Sequence, residues 1–473
     1  MAKNKKEMTP EERLAAALVP EEEQPYRLPE GWKWVYLGKM CQFIGGGTPS
    51  KSQPKYWNGD IPWASIKDVK GDYLCQTLDT ITKLGVENSA TNICPRGSLI
   101  VATRIEPGKT IIANIDTAIN QDLKYIQSDI DVKFLHRYFQ ASKQHFISKS
   151  SGSTVLGIKV KVLQESLLPL PSQSEQQRIV ARIESLFAKL DAAKAKVQAV
   201  LDAHETRKAA LLDEAFRGKL TETLDETSTA EDFLDEIYAV KEQLVKEKKL
   251  KKPKRLPSMT DEEKPFEIPN TWRWVRFGDI LRIINGDRGK NYPSKKELHE
   301  AGDIPFISAL NIQANTIATE HLLYVDEERY NLLRSGKLKK GDLVLCIRGS
   351  LGKNGRYPFD RGAIASSLVI IRSYLDNDAM YDYISFYLDS LLFKNEMSKY
   401  DNGTAQPNLG AGDLSLFAVP LPPLAEQHEI VAILDRLLGR EEEVRQSAES
   451  VLAAIDGMKQ SILARAFRGE LGA

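Results

Sequence analysis

Side chains that hydrogen-bond well to nucleic acid gather in several Gly-containing segments of this 473-residue sequence. Arginine and lysine suit guanine, asparagine and glutamine suit adenine, and hydroxyl groups suit phosphate oxygens. In the first half of the chain the candidates are Thr48, Ser50, Lys51, Lys55, Arg104, Asn120, Gln121, Ser151, Ser153, Thr154 and Lys159. In the second half they are Arg288, Lys290, Asn291, Arg348, Lys353, Asn354, Arg356, Asn402, Thr404, Gln406 and Asn408. For each residue taken singly, the alternative is a solvated turn without a contact.

Motifs of an active site are absent from the sequence. GGGTPSKS and RGSLGKNG lack the spacing of a phosphate-binding loop, and there is no Asp/Asn-Pro-Pro-aromatic motif of amino-methyltransferases. The six histidines are scattered, and the four cysteines lie too far apart for a zinc site. Asp60, Asp303 and Asp342 adjoin glycine and are interpreted as turn formers. We therefore expect a non-catalytic chain with no metal and no cofactor of its own.

The elements that must position these segments are duplicated, because five strings recur in the same order about 240 to 250 residues later. The pairs are EEEQPYRLPEGWKWVYLG (21–38) with DEEKPFEIPNTWRWVRFG (261–278), GDIPWASI (59–66) with GDIPFISA (302–309), GSLIVATR (97–104) with GDLVLCIR (341–348), LPLPSQSEQQRIVARI (168–183) with VPLPPLAEQHEIVAIL (419–434), and AFRGKL (215–220) with AFRGEL (466–471). Such a long period indicates two similar domains rather than a solenoid.

Each copy ends in a long segment whose apolar positions alternate spacings of four and three, as in a coiled coil. The first set is Ile179, Ile183, Leu186, Leu190, Ala193, Val197, Val200, His204, Arg207, Leu211 and Ala215. The second set is Ile430, Leu434, Leu437, Glu441, Val444, Ala448, Val451, Ile455, Met458, Ile462 and Ala466. Gly218 and Gly469 follow the last periodic residues and predict the helix ends. A spacer between two domains is the favoured interpretation, and a core helix is the alternative.

These patterns predict an α+β fold in two tandem halves, each a globular domain followed by a long helix. The expected segments are 1–20, without an assigned role; a first domain over 21–173; a first long helix over 174–218; a charged linker with a short helix over 219–260; a second domain over 261–424; and a second long helix over 425–473. The basic run in 241–255 is interpreted as a solvated helix end, with phosphate or partner contact as the alternative.

Composition is that of an ordinary globular protein, with zero formal net charge. Zero net charge does not exclude binding of nucleic acid, because the local patch matters, but it suggests that partner chains supply positive surface. No apolar run reaches the roughly 18 residues of a membrane-spanning helix, and the N-terminus has no secretory signal. We therefore expect a cytoplasmic protein.

The strings LPEGWKW/IPNTWRW, GGGTPSKSQPKYWNGDIPW, LPLPSQSEQQRIV/VPLPPLAEQHEIV and AFRGKL/AFRGEL resemble the specificity subunits of type I restriction–modification systems, over nearly the whole chain. The resemblance implies two target recognition domains that each read one half of a bipartite double-stranded DNA site. It implies that the two long helices pack antiparallel, hold the domains apart and dock two methyltransferase subunits. Because the segments between the repeated strings differ, we predict an asymmetric target.

The same resemblance places S-adenosylmethionine, ATP and magnesium on partner subunits, namely the methyltransferase and a separate motor-nuclease. Candidate docking residues at the helix ends are Glu175, Gln176, Arg217, Glu426, Gln427 and Arg468, for which capping and local salt bridges are the alternative. Two other functions remain open. A coiled-coil scaffold without DNA binding would leave the basic and amide-rich loops unexplained, and a nuclease with an unrecognised site would cut DNA with a divalent metal.

Overall fold

A computed structural model of the chain describes residues 9–221, 229–313, 315–375, 377–400 and 407–471. The chain forms two compact units. Unit 1 joins the residues up to Ala199 with those from Ala448 onward, and unit 2 is Val200–Ser447. Each unit therefore contains one globular domain, part of the helical segment that follows it and part of the helical segment of the other copy.

Unit 1 contains three small sheets. Its strands are β1 (Lys33–Tyr36), β2 (Gln42–Gly45), β3 (Trp57–Ala64), β4 (Tyr73–Leu74), β5 (Asp79–Ile81), β6 (Asn92–Cys94), β7 (Leu99–Ala102), β8 (Thr110–Ala113), β9 (Thr117–Ile119), β10 (Leu123–Gln127) and β11 (Leu167–Leu170). The sheet orders are β1-β11, β2-β10-β7-β8-β4 and β5-β3-β9-β6. Every residue of β7 and β8 is buried, which explains why these apolar strings form the centre of the larger sheet.

The helices of unit 1 are α1 (Pro10–Ala17), α2 (Leu37–Met40), α3 (Lys83–Glu87), α4 (Val132–Ala141), α5 (Lys143–Ser148), α6 (Val160–Gln164) and α7 (Gln173–Asp202). Helix α1, in the segment without an assigned role, is part of the folded unit. Its Ala17 is buried, and after it Val19 N donates to Trp34 O at 3.0 Å. Residues 9–20, the described part of the segment 1–20, therefore contribute to the core of unit 1.

Unit 2 repeats this plan with one more strand in its largest sheet. Its strands are β12 (Arg273–Arg276), β13 (Leu281–Asn285), β14 (Pro305–Ile307), β15 (Ile312–Gln313), β16 (Thr316–Ile317), β17 (Leu323–Tyr324), β18 (Lys337–Lys339), β19 (Leu343–Cys346), β20 (Asn354–Arg356), β21 (Arg361–Ile364), β22 (Leu368–Ser373) and β23 (Ala418–Leu421). The orders are β12-β23, β13-β22-β19-β20-β16-β15 and β17-β14-β21-β18.

The helices of unit 2 begin with α8 (His204–Phe216), α9 (Ala230–Lys246), α10 (Phe277–Ile280), α11 (Glu327–Leu332), α12 (Asp378–Asp389), α13 (Leu391–Tyr400) and α14 (Ala411–Leu414). The last is α15 (Leu424–Phe467), whose first half belongs to unit 2 and whose second half belongs to unit 1. Helix α9 is the short linker helix that the sequence predicted, and it buries Phe233, Leu234 and Ile237 in unit 2.

The duplicated strings fold alike in the two units. In both, the Trp-containing strand pairs antiparallel with the Pro-Leu strand that precedes a long helix, with Trp34 opposite Pro169 and Trp274 opposite Pro420. This pairing brings the beginning of each domain to the beginning of its helix. The prediction of an α+β fold in two tandem halves is confirmed.

The long helices pack antiparallel within each unit. In unit 1, Lys194 Nζ lies 2.8 Å from Asp456 Oδ1, while the earlier Asp191 pairs with the later Lys459. In unit 2, Arg207 Nε lies 2.8 Å from Glu441 Oε2. The prediction of an antiparallel coiled coil is therefore confirmed.

Two details of the helix prediction are wrong. The first helical segment is not continuous, because it is interrupted at Ala203 between α7 and α8. There the Arg207 side chain donates a hydrogen bond to the carbonyl of Val200 at 3.2 Å. A side-chain donor thus occupies a carbonyl at the point where the helix is interrupted.

The register of α15 also differs from the predicted seam. Val444, Val451 and Met458 are 43%, 44% and 53% exposed, whereas each following residue is partly buried. The reason is visible at Lys459, whose ammonium stacks 5.0 Å from the Phe187 ring centroid and pairs with Asp191. A long charged side chain thus takes the place of an apolar one, because its methylene stem covers the partner helix while its charge is paired.

The phenylalanine of each AFRG string anchors a helix end. Phe467 packs against Phe134 and Tyr138 in unit 1, at ring-centroid distances of 5.1 and 5.8 Å. Phe216 packs against Tyr383 and Tyr387 in unit 2, at 5.3 and 5.9 Å. Burying such a ring contributes roughly 1.5–3 kcal/mol, so the end of each helix is fixed on the domain of the other copy.

Gly218 and Gly469 adopt φ values of +68° and +75°, which is the left-handed C-terminal stop that the sequence predicted. Within the described residues, no helix is long and apolar enough to span a bilayer.

Candidate nucleic-acid interface

In unit 1 the predicted residues of three loops meet at one end of the larger sheet. The Thr48 hydroxyl donates to Gln121 Oε1, which joins the Gly-rich loop to the turn after β9. In that turn Asn120 is buried and its Oδ1 accepts from Asp122 N at 3.1 Å, while Gln121 is exposed. Arg104 NH1 lies 3.5 Å from Asp122 Oδ1 and remains 57% exposed. The loops thus present an amide and a guanidinium side by side.

The glycines of GGGTPSKS permit this close approach. A Cβ on Gly46 would lie 2.1 Å from Ile119 O, and a Cβ on Gly47 would lie 2.6 Å from the backbone of Ala90. Gly47 O in turn accepts from Trp63 Nε1 and Thr91 Oγ1. The spacing of these glycines therefore serves to press the Thr48 loop onto the sheet, because any side chain there would collide with backbone.

The Ser-rich loop joins the same surface through backbone bridges. Gly157 bridges to Arg104 and to Ser151, and Ile158 N donates to Thr103 O at 2.8 Å. Ser151, Ser153 and Thr154 are exposed on this loop, as are Ser50, Lys51, Lys55 and Lys159 on neighbouring segments. Unit 1 therefore presents most of the predicted donors and acceptors to solvent, in loops that are tied together.

In unit 2 the corresponding loops form a cleft of about 690 Å³. Its charged and amide side chains are Asn285, Asp287, Arg288, Arg334, Arg348 and Asn408. Arg348 Nε donates to Asn408 Oδ1 at 2.9 Å, in the same place where Arg104 bridges to Gly157 in unit 1. Three guanidiniums beside two amides form a positive surface suited to phosphates and to the edges of guanine and adenine.

The buried carboxylate of Asp287 holds this cleft together. Its Oδ1 accepts from Arg288 N and its Oδ2 accepts from Arg334 N, both at 2.7 Å. The hydrogen bond from the Arg334 backbone lowers the pKa of Asp287, with a further contribution from the Arg288 backbone. Because backbone groups satisfy the carboxylate, both arginine side chains stay available to a ligand.

Two predicted residues of unit 2 bind other side chains of the same unit: Asn354 is buried, which does not fit a base reader, whereas Arg356 is 34% exposed and its contact with DNA stays a prediction. Asn354 is 2% exposed and its amide donates to Gly352 O and Asp389 Oδ1. Arg356 pairs with Asp378 and Asp382 of α12. Both lie on β20 and hold the sheet against α12. Lys290 and Lys353 are exposed and Asn291 is partly buried, whereas Asn402, Thr404 and Gln406 lie outside the described residues.

The predicted docking residues divide into buried and accessible groups. Gln176 accepts from Asp131 N at 3.0 Å and donates to Pro171 O, and Gln427 donates to Pro422 O. Glu426 is 5% exposed. These three residues fix the beginnings of the long helices, so the alternative of capping and internal bonding describes them. Arg468 is exposed, Arg217 pairs with Asp213, and Glu175 pairs with Arg178, which lowers the pKa of Glu175.

Arg334 is a site residue that the sequence did not single out. It lies after α11, two residues before Gly336, and its backbone N–H donates to Asp287 Oδ2 while the neighbouring Ser335 hydroxyl donates to Asn285 O. In the described part of the chain, no three His, Cys, Asp or Glu side chains converge as a metal site would require.

The sequence matches a family model twice. Residues 29–202 and 269–449 match the type I restriction modification DNA specificity domain. The chain is 24% identical over 434 residues to the type I restriction enzyme MjaIX specificity subunit of Methanocaldococcus jannaschii, covering 88% of this chain and 90% of that protein. It is 25% identical over 450 residues to the EcoDI specificity subunit of Escherichia coli, covering 94% and 90%.

Solved structures share the fold. A chain from a study of complex assembly and conformational transition of the type I R-M system superposes with a TM-score of 0.69 at 20% identity, covering 94% of this chain and all of that one. The HsdS subunit from Thermoanaerobacter tengcongensis gives 0.58 at 21% identity, covering 95% and 100%. With the duplicated domains and the two family matches, the chain belongs to the type I restriction modification DNA specificity family.

Proposed function

We propose that this chain reads an asymmetric, bipartite duplex DNA site, with one half-site read by the loops of unit 1 and the other by those of unit 2. One observation supports this most: equivalent strands present Arg104 in unit 1 and Arg348 in unit 2, yet the surrounding side chains differ. The first is flanked by Gly157 and hydroxyl groups, and the second by Asn408 and two further arginines. Two similar domains that present different side chains to DNA are suited to two different base sequences.

We propose that the chain performs no catalysis and that two methyltransferase subunits dock on the long helices, with motor-nuclease subunits joining the full complex. S-adenosylmethionine, ATP and magnesium would then be bound by those partners. The exposed apolar residues Val451 and Met458 of unit 1 support helix docking, because they lie seven residues apart along α15. Apolar side chains at that spacing suit a partner helix.

The proposal is tested by methylome sequencing of cells that express this chain with its matching methyltransferase, compared with cells that lack the chain. One gapped, asymmetric methylated motif is expected only when both are present. Unchanged methylation with every subunit expressed would contradict recognition and favour a scaffold function.

Two matched variants sharpen the experiment. Arg104→Ala should relax base preference in one half of the motif only, and Arg348→Ala should relax it in the other half only. The cost of losing one direct base contact is about 1–3 kcal/mol, which is enough to make one base pair degenerate. If both variants changed the same half, the assignment of one half-site to each unit would be wrong.

A further inference from the structure

Ile105 has a backbone conformation that its side chain disfavours. Its φ is +70°, in the left-handed region where a β-branched residue is a genuine outlier. The side chain is nevertheless 50% exposed, so burial in a core does not compensate for the strain. Strain of this kind persists where the surrounding structure imposes it, and it clusters at functional positions.

The loop around Ile105 presents further apolar side chains. Ile105 N donates to Leu156 O at 2.8 Å, which places the two residues on adjacent loops. Leu156 and Val155 are 40% and 41% exposed. Arg104 directly precedes Ile105, and the neighbouring carboxylate of Glu106 is paired with Lys109. An apolar patch thus lies within the proposed DNA-reading surface of unit 1.

The described residues of unit 2 form no such patch at the equivalent place. There the residue after Arg348 is Gly349, with φ +78°, and Gly349 N donates to Pro407 O at 3.1 Å. Glycine is the residue that this backbone conformation favours, and unit 1 departs from it. The isoleucine therefore adds a side chain that the scaffold does not need, which points to a ligand of unit 1 alone.

We propose that Ile105, with Val155 and Leu156 beside it, recognises the 5-methyl group of one thymine in the half-site read by unit 1. This inference rests on the proposed function. Apolar side chains gain nothing from phosphates, and the thymine methyl is the apolar group that base pairs present in the major groove. Ile105 is therefore a specificity-determining residue whose preference unit 2 does not share.

The test uses the assembled methyltransferase complex and duplexes carrying the methylated motif. Each thymine is replaced in turn by deoxyuridine, which keeps base pairing and lacks only the methyl group. For the unaltered complex, one replacement should weaken binding about threefold to fivefold, the value of burying one methyl group. For Ile105→Gly the same replacement should have no effect. The glycine variant should fold, because it relieves the strained conformation.

Leu18→Ser is the matched control, because Leu18 is 44% exposed in unit 1 beside β1. It should retain the full deoxyuridine effect. The inference is overturned if no thymine distinguishes the unaltered complex from Ile105→Gly. If the unaltered complex does not prefer the motif to a scrambled duplex, the proposed function fails as well, and the two failures are told apart by that comparison.

Discussion

The indole Nε1 of Trp272 donates a 2.9 Å hydrogen bond to Oε2 of Glu426, and both side chains are buried. Glu426 Oε1 accepts a second bond from Thr221 Oγ1 at 2.6 Å. One carboxylate therefore joins the residues after α8, the beginning of the second domain and the beginning of α15. Within the described residues, the side chain of the equivalent Glu175 in unit 1 is 28% exposed and pairs with Arg178 of its own helix.

Glu426→Ala should destabilise unit 2 by about 2–3 kcal/mol, because it leaves a buried indole N–H and a hydroxyl without partners. Thermal unfolding of the assembled complex and amide hydrogen exchange in 209–221 and 272–276 measure the effect. Glu175→Ala is the matched control and should cost less than about 1 kcal/mol, as an exposed ion pair does. Equal losses from the two variants would contradict this structural difference.

The ion pair between Glu263 and Arg276 predicts a pH dependence. Arg276 donates from NH1 and NH2 to the two carboxylate oxygens at 2.8 Å, and these bonds lower the pKa of Glu263 to about 2. A carboxyl group whose pKa is lower in the folded state stabilises the fold at pH values above its unfolded pKa of 4.5. This stabilisation is lost as the pH falls toward 2. Glu263→Gln should therefore lower stability by about 1–2 kcal/mol at pH 7, and the difference should vanish near pH 2.

The first copy supplies the control for that experiment, since Glu23 accepts a hydrogen bond from Tyr36 OH in the equivalent position. The amide oxygen of Glu23→Gln can accept the same bond, so its effect should be small and nearly constant over this range. Unfolding followed by circular dichroism from pH 7 to pH 2 gives both curves. A Glu263→Gln difference that grew on acidification would overturn the sign of the argument.

Lys353 lies in the loop that follows Arg348, and its side chain is exposed. An ammonium there is suited to phosphate rather than to one base. Lys353→Ala should weaken binding to the motif and to unrelated duplexes alike, and should reduce the slope of log K against log salt by about 1. Lys264→Ala, an exposed lysine before β12 that pairs with Asp261, should leave the slope unchanged. A change of the methylated motif in Lys353→Ala would instead assign base reading to this lysine.

The sequence predicted the features that come from its internal repeat and from its helical periodicity. The duplicated strings located both domains, and the C-terminal glycines located the helix ends, because φ near +70° favours glycine and leaves a visible residue. Arg104 and Gln121, selected by residue type and context, are exposed as a DNA contact requires, and that contact stays a prediction. Each of these features depends on residues close together in the chain, so a single sequence is enough to predict it.

The remaining features depend on contacts between distant residues. Arg334 reaches the cleft through its backbone N–H and a carboxylate 47 positions earlier, and the Ser335–Gly336 pair beside it indicates a turn but not this distant contact. Asn354 has the residue type of a base reader, but Asp389 of α12 binds its amide. Lys459 rather than Met458 faces the partner helix, because the lysine side chain stacks on Phe187 and pairs with Asp191. A search for heptads considers only apolar residues, so it does not detect a lysine that packs through its methylene groups and an ion pair.

The exposed apolar residues of α15 yield the last prediction. Val451→Glu combined with Met458→Glu should leave unit 1 folded, because both side chains are about half exposed. It should nevertheless weaken association with the methyltransferase, since charges would be buried against a partner helix without pairing. Size-exclusion chromatography of the co-expressed subunits and the fraction of methylated sites measure the outcome. Ala453→Glu is the control, because Ala453 is exposed roughly half a turn away from Val451 on the same helix. Full assembly of the double variant would show that the methyltransferase docks on another face, whereas disruption by both variants would point to a general defect of the helix.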